Sequence, residues 1–281
     1  MYIDELTDVI REARPHYREQ RIKKKTGGYR ELQIPDEQTK RVQHAILRDI
    51  DAVLTFLPCV MGYRRGTSIL DNARAHLGND YLIRYDLADF FDHITKARVK
   101  AVLKSKNFSQ RFIRVVIKWC IYKNKLPQGA PSSPILSNAV CMSLDSRMMT
   151  LTKKIRAVYT RYADDIVISG EANIMGYQNV YRRIIRTEHF TINQHKTKIT
   201  ALHTDRVHSD ALNFRHLLSH HIVTGLAVYA NRITVRPEQI RRMRKELLQG
   251  SKYGIDQLSK HTIGQWAYIQ QIDPKAIEWQ K

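Results

Sequence analysis

Ala157-Val158-Tyr159-Thr160-Arg161-Tyr162-Ala163-Asp164-Asp165-Ile166-Val167-Ile168-Ser169-Gly170 reads as two β-rich runs around a short polar tip, a hairpin with two carboxylates at its turn. Upstream, Tyr81, Ile83 and Tyr85 alternate with Leu82, Arg84 and Asp86, the period of a two-faced strand, so Asp86 is expected at a strand end. Strand pairing would let Asp86 meet Asp164 and Asp165. Adjacent carboxylates repel, and a third raises that cost unless a cation neutralises them. Oxygen-only ligands suit magnesium, which keeps water and substrate phosphates in its other positions. The plainer alternative is that Asp164-Asp165 is a solvated turn and Asp86 a helix cap, the commoner use of an isolated Asp.

Outward from these strands, helical spacing is expected over 37–54 (Val42, Ala45, Ile46, Ile50, Val53), 96–123 (Val99, Val102, Leu103, Phe112, Val115, Val116, Trp119) and about 176–189. Gln128-Gly129-Ala130-Pro131 reads as a turn, after which Ser133 is expected to cap a helix opening at Pro134, with Leu136, Val140, Leu144 and Met148 as its core face. Lys23-Lys24-Lys25-Thr26-Gly27-Gly28-Tyr29-Arg30 is the basic tip of a hairpin arm, His221–Val235 a strand pair, and Pro237–Lys281 helical and basic.

The 281 residues suffice for a sizeable core, and 47 Lys and Arg against 27 Asp and Glu give a net charge of +20, spread along the chain. Such a field favours a polyanion, nucleic acid first and an anionic membrane surface second. The apolar runs are too short for a membrane span and the first twenty residues hold no signal-peptide core, so a cytoplasmic protein without a membrane partner is expected. Cys59, Cys120 and Cys141 lack the spacing of a zinc site or a disulfide framework and read as reduced packing thiols. His216, His220 and His221 do not read as zinc ligands either, since no Cys or carboxylate set surrounds them at ligand spacing.

Four ordered segments carry a family resemblance. Tyr162-Ala163-Asp164-Asp165 resembles the palm signature of reverse transcriptases, and Asp86-Leu87-Ala88-Asp89-Phe90-Phe91 their first metal-binding motif. Leu126-Pro127-Gln128-Gly129-Ala130-Pro131-Ser132-Ser133-Pro134 resembles the template- and nucleotide-contacting motif between them. Asn193-Gln194-His195-Lys196-Thr197 resembles the downstream motif that ends in lysine. The match runs from about 23 to 245, and four ordered motifs are far more specific than one. On that match no obvious appended endonuclease, maturase or integrase region is expected.

The resemblance implies an α/β (α+β) right-hand polymerase: fingers over 1–79 with 96–130 inserted, a palm over 80–220 bearing the aspartates, and a primer-grip hairpin with a short helical thumb over 221–281. It implies two magnesium ions on Asp86, Asp164 and Asp165, with the Leu87 carbonyl as an extra ligand. Deoxynucleotides would be met by Arg30, Phe91, Gln128, Gly129 and Lys196. Phe91 would block a ribose 2′-OH because a phenyl face offers it no partner; its plainer reading is a core aromatic.

Asn72-Ala73-Arg74-Ala75-His76 and Val223-Thr224-Gly225 look like the two extra signatures of retron reverse transcriptases. The resemblance then implies RNA contacts by Asn72, His76, Val223, Thr224 and Gly225, and phosphate contacts by Arg241, Arg242, Arg244 and Lys245. It also implies a cognate structured noncoding RNA primed from a guanosine 2′-OH, a branched RNA–DNA product, and an effector protein in antiphage defence. The alternatives are another defence-associated, CRISPR-associated or template-independent reverse transcriptase, and a non-enzymatic RNA-binding scaffold, against which the intact aspartates argue.

Overall fold

The computed structural model describes residues 2–23, 27–202, 217–253 and 260–276. Past α1 (Thr7–Glu12), β1 (Tyr17–Lys23) and β2 (Tyr29–Pro35) pair antiparallel as the expected hairpin arm, while Lys24 and Lys25 of its tip lie outside the described residues. The Asp36 carboxylate caps α2 (Glu37–Asp51) by accepting from the Thr39 N–H. A reciprocal Ser68–Asp71 capping box starts α3 (Ile69–Arg74), and β3 (Tyr81–Ala88) follows.

The helical stretch expected over 96–123 is two helices, α4 (Lys96–Ser105) and α5 (Gln110–Cys120). The chain breaks where Asn107 turns left-handed (φ +59°) and the Ser109 hydroxyl caps α5. The helix expected from Pro134 is likewise two, α6 (Ser133–Val140) and α7 (Met142–Lys154). Ser133 does not cap it. Its backbone is already helical, and its hydroxyl donates to the Pro127 carbonyl, 2.7 Å, tying the helix back to the preceding loop.

Next come β4 (Val158–Tyr162), β5 (Asp165–Gly170), α8 (Gln178–Thr187), β6 (Thr191–Ile192), β7 (Lys198–Leu202) and β8 (Leu217–Leu218). The segment expected as a strand pair is a three-stranded antiparallel sheet of β9 (His221–Val223), β10 (Leu226–Val228) and β11 (Ile233–Val235). Two helices, α9 (Pro237–Tyr253) and α10 (Lys260–Ile272), close the described chain.

β3 is the axis of the main sheet, whose order is β4-β5-β3-β7-β8 with β6 on the end of β3. Its alternation separates two cores. Ile83, Tyr85 and Leu87 join the larger one with α2 and α4–α8, whereas Leu82 and Val167 on the other face pack with Ala73 of α3, β9–β11, α9 and α10. Asp86 has the parity of Leu82, and Asp165 that of Val167, so both carboxylates stand on the second face. Cys59, Cys120 and Cys141 are buried, burial lifts each thiol to about 12, and among the described residues they are free, as packing thiols should be. No helix among the described residues is long and apolar enough to cross a membrane.

Candidate active site

Asp86 lies two residues inside β3 rather than at its end, and the antiparallel register sets it directly opposite Asp165, the first residue of β5. Opposed residues on one sheet face are immediate neighbours. Ala163, at φ +57°, turns the chain between β4 and β5, and the Leu87 N–H donates to the Asp164 carbonyl (2.9 Å), drawing the tip onto β3. Pairing of β3 with β5 therefore sets Asp86 opposite Asp165, with Asp164 the adjoining residue of the tip.

Their electrostatics are those of a crowded anionic site. Burial lifts the Asp165 carboxyl to about 6, against the pull of Arg84, and the charges of Asp164 and Asp86 push the same way. Burial also raises Asp164, helped by Asp86 and opposed by Lys196 and Arg30. Arg84 Nε donates to Asp165 Oδ1 at 2.7 Å, and Lys196 Nζ donates to both Asp86 oxygens at 3.1 and 3.2 Å. Among the described residues no cation forms an ion pair with Asp164. Nor, among the described residues, do three His, Cys, Asp or Glu side chains stand close enough to hold a metal ion by themselves. Magnesium needs no such cage when substrate phosphates and water supply its remaining oxygens. The unmet demand for positive charge around Asp164 fits a divalent cation.

The other expected contact residues surround this point. Arg30 on β2 is exposed and its charge reaches Asp164. Phe91 is half-buried, edge-on to Phe90 with centroids 5.3 Å apart. The Gln128 N–H donates to Gln33 Oε1 (2.9 Å) and its carbonyl accepts from the Gln33 N–H (2.7 Å), so β2 holds the 128–129 turn. Gly129 has φ +108°, a conformation that only glycine adopts without strain. The Asn193 N–H donates to the Asp86 carbonyl (2.8 Å), fixing the loop that carries Lys196.

The retron-like segments meet each other: Asn72 Nδ2 donates to Thr224 Oγ1 (3.4 Å), and the Thr224 hydroxyl donates to the Ile69 carbonyl (3.2 Å). Their expected direct contact with RNA needs correcting for three residues. Asn72, His76 and Val223 are fully buried, and the two His76 ring nitrogens each lie 2.7 Å from a hydroxyl, that of Ser169 or of Thr160. Only Thr224 (φ +44°) and Gly225 (φ +88°), at the β9–β10 turn, are partly exposed. On α9, Arg241 pairs with Glu238 (3.7 Å) and Arg242 with Glu246 (2.8 Å). Arg244 donates to the Ala276 carbonyl (3.0 Å) and Lys245 is exposed. His220 is half-buried and His221 bonds to Thr200, while His216 lies outside the described residues.

Burial, reinforced by His221, pushes His76 down to about 3. In the unfolded chain a histidine protonates near 6.5, so between these values unfolding takes up a proton. This contribution to stability is fully present above about pH 6.5 and is lost as the pH falls toward 3. His76→Gln is expected to flatten the fall of the urea midpoint between pH 6.5 and 4.5; an unaltered slope would show that other groups set it.

Sequence reading missed the support beneath the tip. The fully buried Arg161 donates to both Asp145 oxygens (2.8 and 2.7 Å), to Asn138 Oδ1 (3.0 Å) and to the Ala163 carbonyl (3.2 Å). Asn138 in turn donates to the Gly62 carbonyl (2.9 Å). A Cβ on Gly62 would stand 2.6 Å from the Ala163 nitrogen, so only glycine lets the 59–62 segment lie against the hairpin. The signals available were a lone Gly and an Arg and Asp without local partners, none of which points across the fold.

A family model for "Reverse transcriptase (RNA-dependent DNA polymerase)" matches residues 22–241. The Retron Ec86 reverse transcriptase of Escherichia coli is 30% identical over 88% of this chain and 73% of its own length. The Retron Mx162 reverse transcriptase of Myxococcus xanthus is 30% identical over 76% of this chain and 47% of its own. Among solved structures, Candida albicans telomerase in complex with a telomeric RNA fragment superposes with TM-score 0.58 at 9% identity, covering 95% of this chain and 56% of that one. Apo telomerase from Candida tropicalis gives 0.57 at 12%, covering 81% and 49%. At such identities the telomerases speak only for the mixed α/β fold. The family model spans most of the sequence and holds both carboxylate-bearing strands, and with its retron relatives it makes this chain a member of the reverse transcriptase family, of the retron type.

Proposed function

We propose that this reverse transcriptase copies part of a cognate structured noncoding RNA into DNA, starting from a guanosine 2′-OH of that RNA and leaving a branched RNA–DNA product. The observation that carries its chemistry is the opposition of Asp86 and Asp165 across β3 and β5 with Asp164 at the adjoining tip. Asp86, Asp164 and Asp165, with the Leu87 carbonyl, would hold two magnesium ions, which when bound supply positive charge to the attacking and leaving oxygens. The priming hydroxyl forms a bond to the α-phosphorus of a deoxynucleotide and loses its proton to solvent, while the bond to pyrophosphate breaks. The chain's own share is positioning and charge. Arg30 and Lys196 would meet the triphosphate, Lys196 from its place beside Asp86. The Gln128–Gly129 backbone lets the nucleotide approach closely, and Phe91 excludes a 2′-OH.

On this reading 1–79 with 96–130 forms the fingers, 80–220 the palm, and 221–281 the primer grip and thumb. Thr224, Gly225, Arg241, Arg242, Arg244 and Lys245 contact RNA, while Asn72, His76 and Val223 shape that surface from beneath. On the same reading the enzyme acts in the cytoplasm, in antiphage defence with an effector protein.

Sequencing the nucleic acid that copurifies with the wild-type protein and with an Asp164→Asn/Asp165→Asn variant tests the proposal. A single short DNA joined to one structured RNA, absent from the variant, is the expected result. Heterogeneous or template-free DNA would keep the polymerase and discard the branched product.

A further inference from the structure

The α8 sequence Gln178-Asn179-Val180-Tyr181-Arg182-Arg183-Ile184-Ile185-Arg186-Thr187 buries Tyr181, Ile184 and Ile185 in the larger core. That leaves Asn179, Arg182, Arg183 and Arg186, spaced i, i+3, i+4 and i+7, on one outward stripe. The stripe walls a cleft of about 540 Å³ whose opposite side is the β6 segment ending at Gln194. No carboxylate lines the cleft. Glu188, the acid nearest in sequence, is turned to Arg147 (2.7 Å) and Ser143 (2.8 Å). Elsewhere on the surface many cations are paired, as Arg21 is with Glu31, Lys123 with Glu19 and Lys125 with Asp92. Among the described residues neither Arg183 nor Arg186 has an acidic partner.

Arg182 is already positioned, donating to Gln194 Oε1 (2.9 Å) with its guanidinium 5.5 Å from the Tyr85 ring centre. Tyr85 points to the face opposite Asp86, so the cleft lies behind the sheet, away from the carboxylates.

We propose that this cleft is a second nucleic-acid site, binding the phosphate backbone of structured RNA on the sheet face opposite the aspartates. Guanidinium forks match phosphate oxygens, and the Asn179 and Gln194 amides can donate to or accept from 2′-hydroxyls. An anionic membrane fits less well. Interfacial helices bring large apolar side chains to the surface beside their cations, and the exposed large hydrophobic residues include none on α8 or β6. The proposal rests on the reading that the enzyme carries its own structured RNA, and it gives that RNA a hold that leaves the catalytic face free.

The test is Arg183→Gln/Arg186→Gln in the full chain, with a fluorescein-labelled 24-nucleotide RNA hairpin titrated across a salt series. A DNA hairpin of the same length and phosphatidylglycerol vesicles run alongside. RNA affinity at 0.1 M salt is expected to fall about tenfold, and the salt slope of log K to shrink by about 1.5 to 2, one unit or slightly less for each phosphate no longer neutralised. DNA-hairpin affinity should fall less, Arg183→Lys/Arg186→Lys should regain most of the RNA affinity, and extension of a preannealed primer–template should change less than twofold. Unchanged RNA affinity and slope, or a loss confined to vesicles, would overturn the site. If copurification yields no branched RNA–DNA while the hairpin loss holds, the branched-product reading fails and the site stands. Intact branched product with unchanged hairpin binding sinks the site alone.

Discussion

Asp164→Asn/Asp165→Asn lowers primer extension by more than about three orders of magnitude and leaves the folding free energy unchanged or slightly raised. The two effects come from the same geometry. Asparagine keeps the size of each side chain, and at 165 it keeps an oxygen to accept from Arg84 Nε, now 2.7 Å from Asp165 Oδ1. What it removes is charge, and charge is what the developing transition state needs neutralised through bound metal; removing a single electrostatic stabiliser already costs about 10²–10³-fold. In the metal-free protein, burial already disfavours both anions, lifting Asp165 to about 6 and raising Asp164. A carboxylate whose folded pKa lies above its unfolded value makes folding less favourable at neutral pH, so neutralising it relieves the fold. Extension assays on a preannealed primer–template, with urea unfolding of the same metal-free preparations, read both effects. Persistent synthesis would refute the assignment of these aspartates, and a large fall in urea midpoint would trace the lost activity to misfolding.

The sequence was most legible where its period was local. Alternation around Asp86 and Asp165 gave both strands, and the tip between them required only a turn. The site followed because an antiparallel pairing that buries Ile83 and Tyr85 on one face puts Asp86 across from Asp165 on the other. Helix ends were less legible. The break at Asn107 comes from one left-handed residue, and at Cys141 the backbone only opens to φ −81°, ψ −2°; neither disturbs apolar spacing. Asn72 and His76 were expected as RNA contacts from the retron resemblance and because an amide and an imidazole can bond to RNA. Here the Asn72 amide nitrogen donates to Thr224 and the two His76 ring nitrogens bond to Ser169 and Thr160, partners 84 to 152 residues away, and such pairing leaves no local trace. The Arg161 network was invisible for the same reason.

Arg161→Met lowers the folding free energy by about 3–5 kcal/mol, because it leaves the fully buried Asp145 carboxylate without its cation. Replacing the ion pair and its tyrosine removes the charge penalty: in Arg161→Met/Asp145→Leu/Tyr159→Phe neither charge of the pair remains, and the Tyr159 hydroxyl that donates to Asp145 (2.8 Å) is gone as well. Apolar replacement of a complete buried pair is often neutral or stabilising, so this triple variant regains most of the lost stability. Activity does not return with it. Ala163 sits in a left-handed conformation that non-glycine residues rarely adopt, and the Arg161 guanidinium links its carbonyl to Asn138, and so to Gly62. Without that link the tip bearing Asp164 is free to relax toward ordinary backbone angles, and displacements near 1 Å at a reacting centre cost about 10²-fold in rate. Urea unfolding and single-nucleotide incorporation separate the two roles. Recovery of stability with kcat still depressed makes Arg161 a positioning residue for the aspartate tip, whereas recovery of both would reduce it to a structural ion pair.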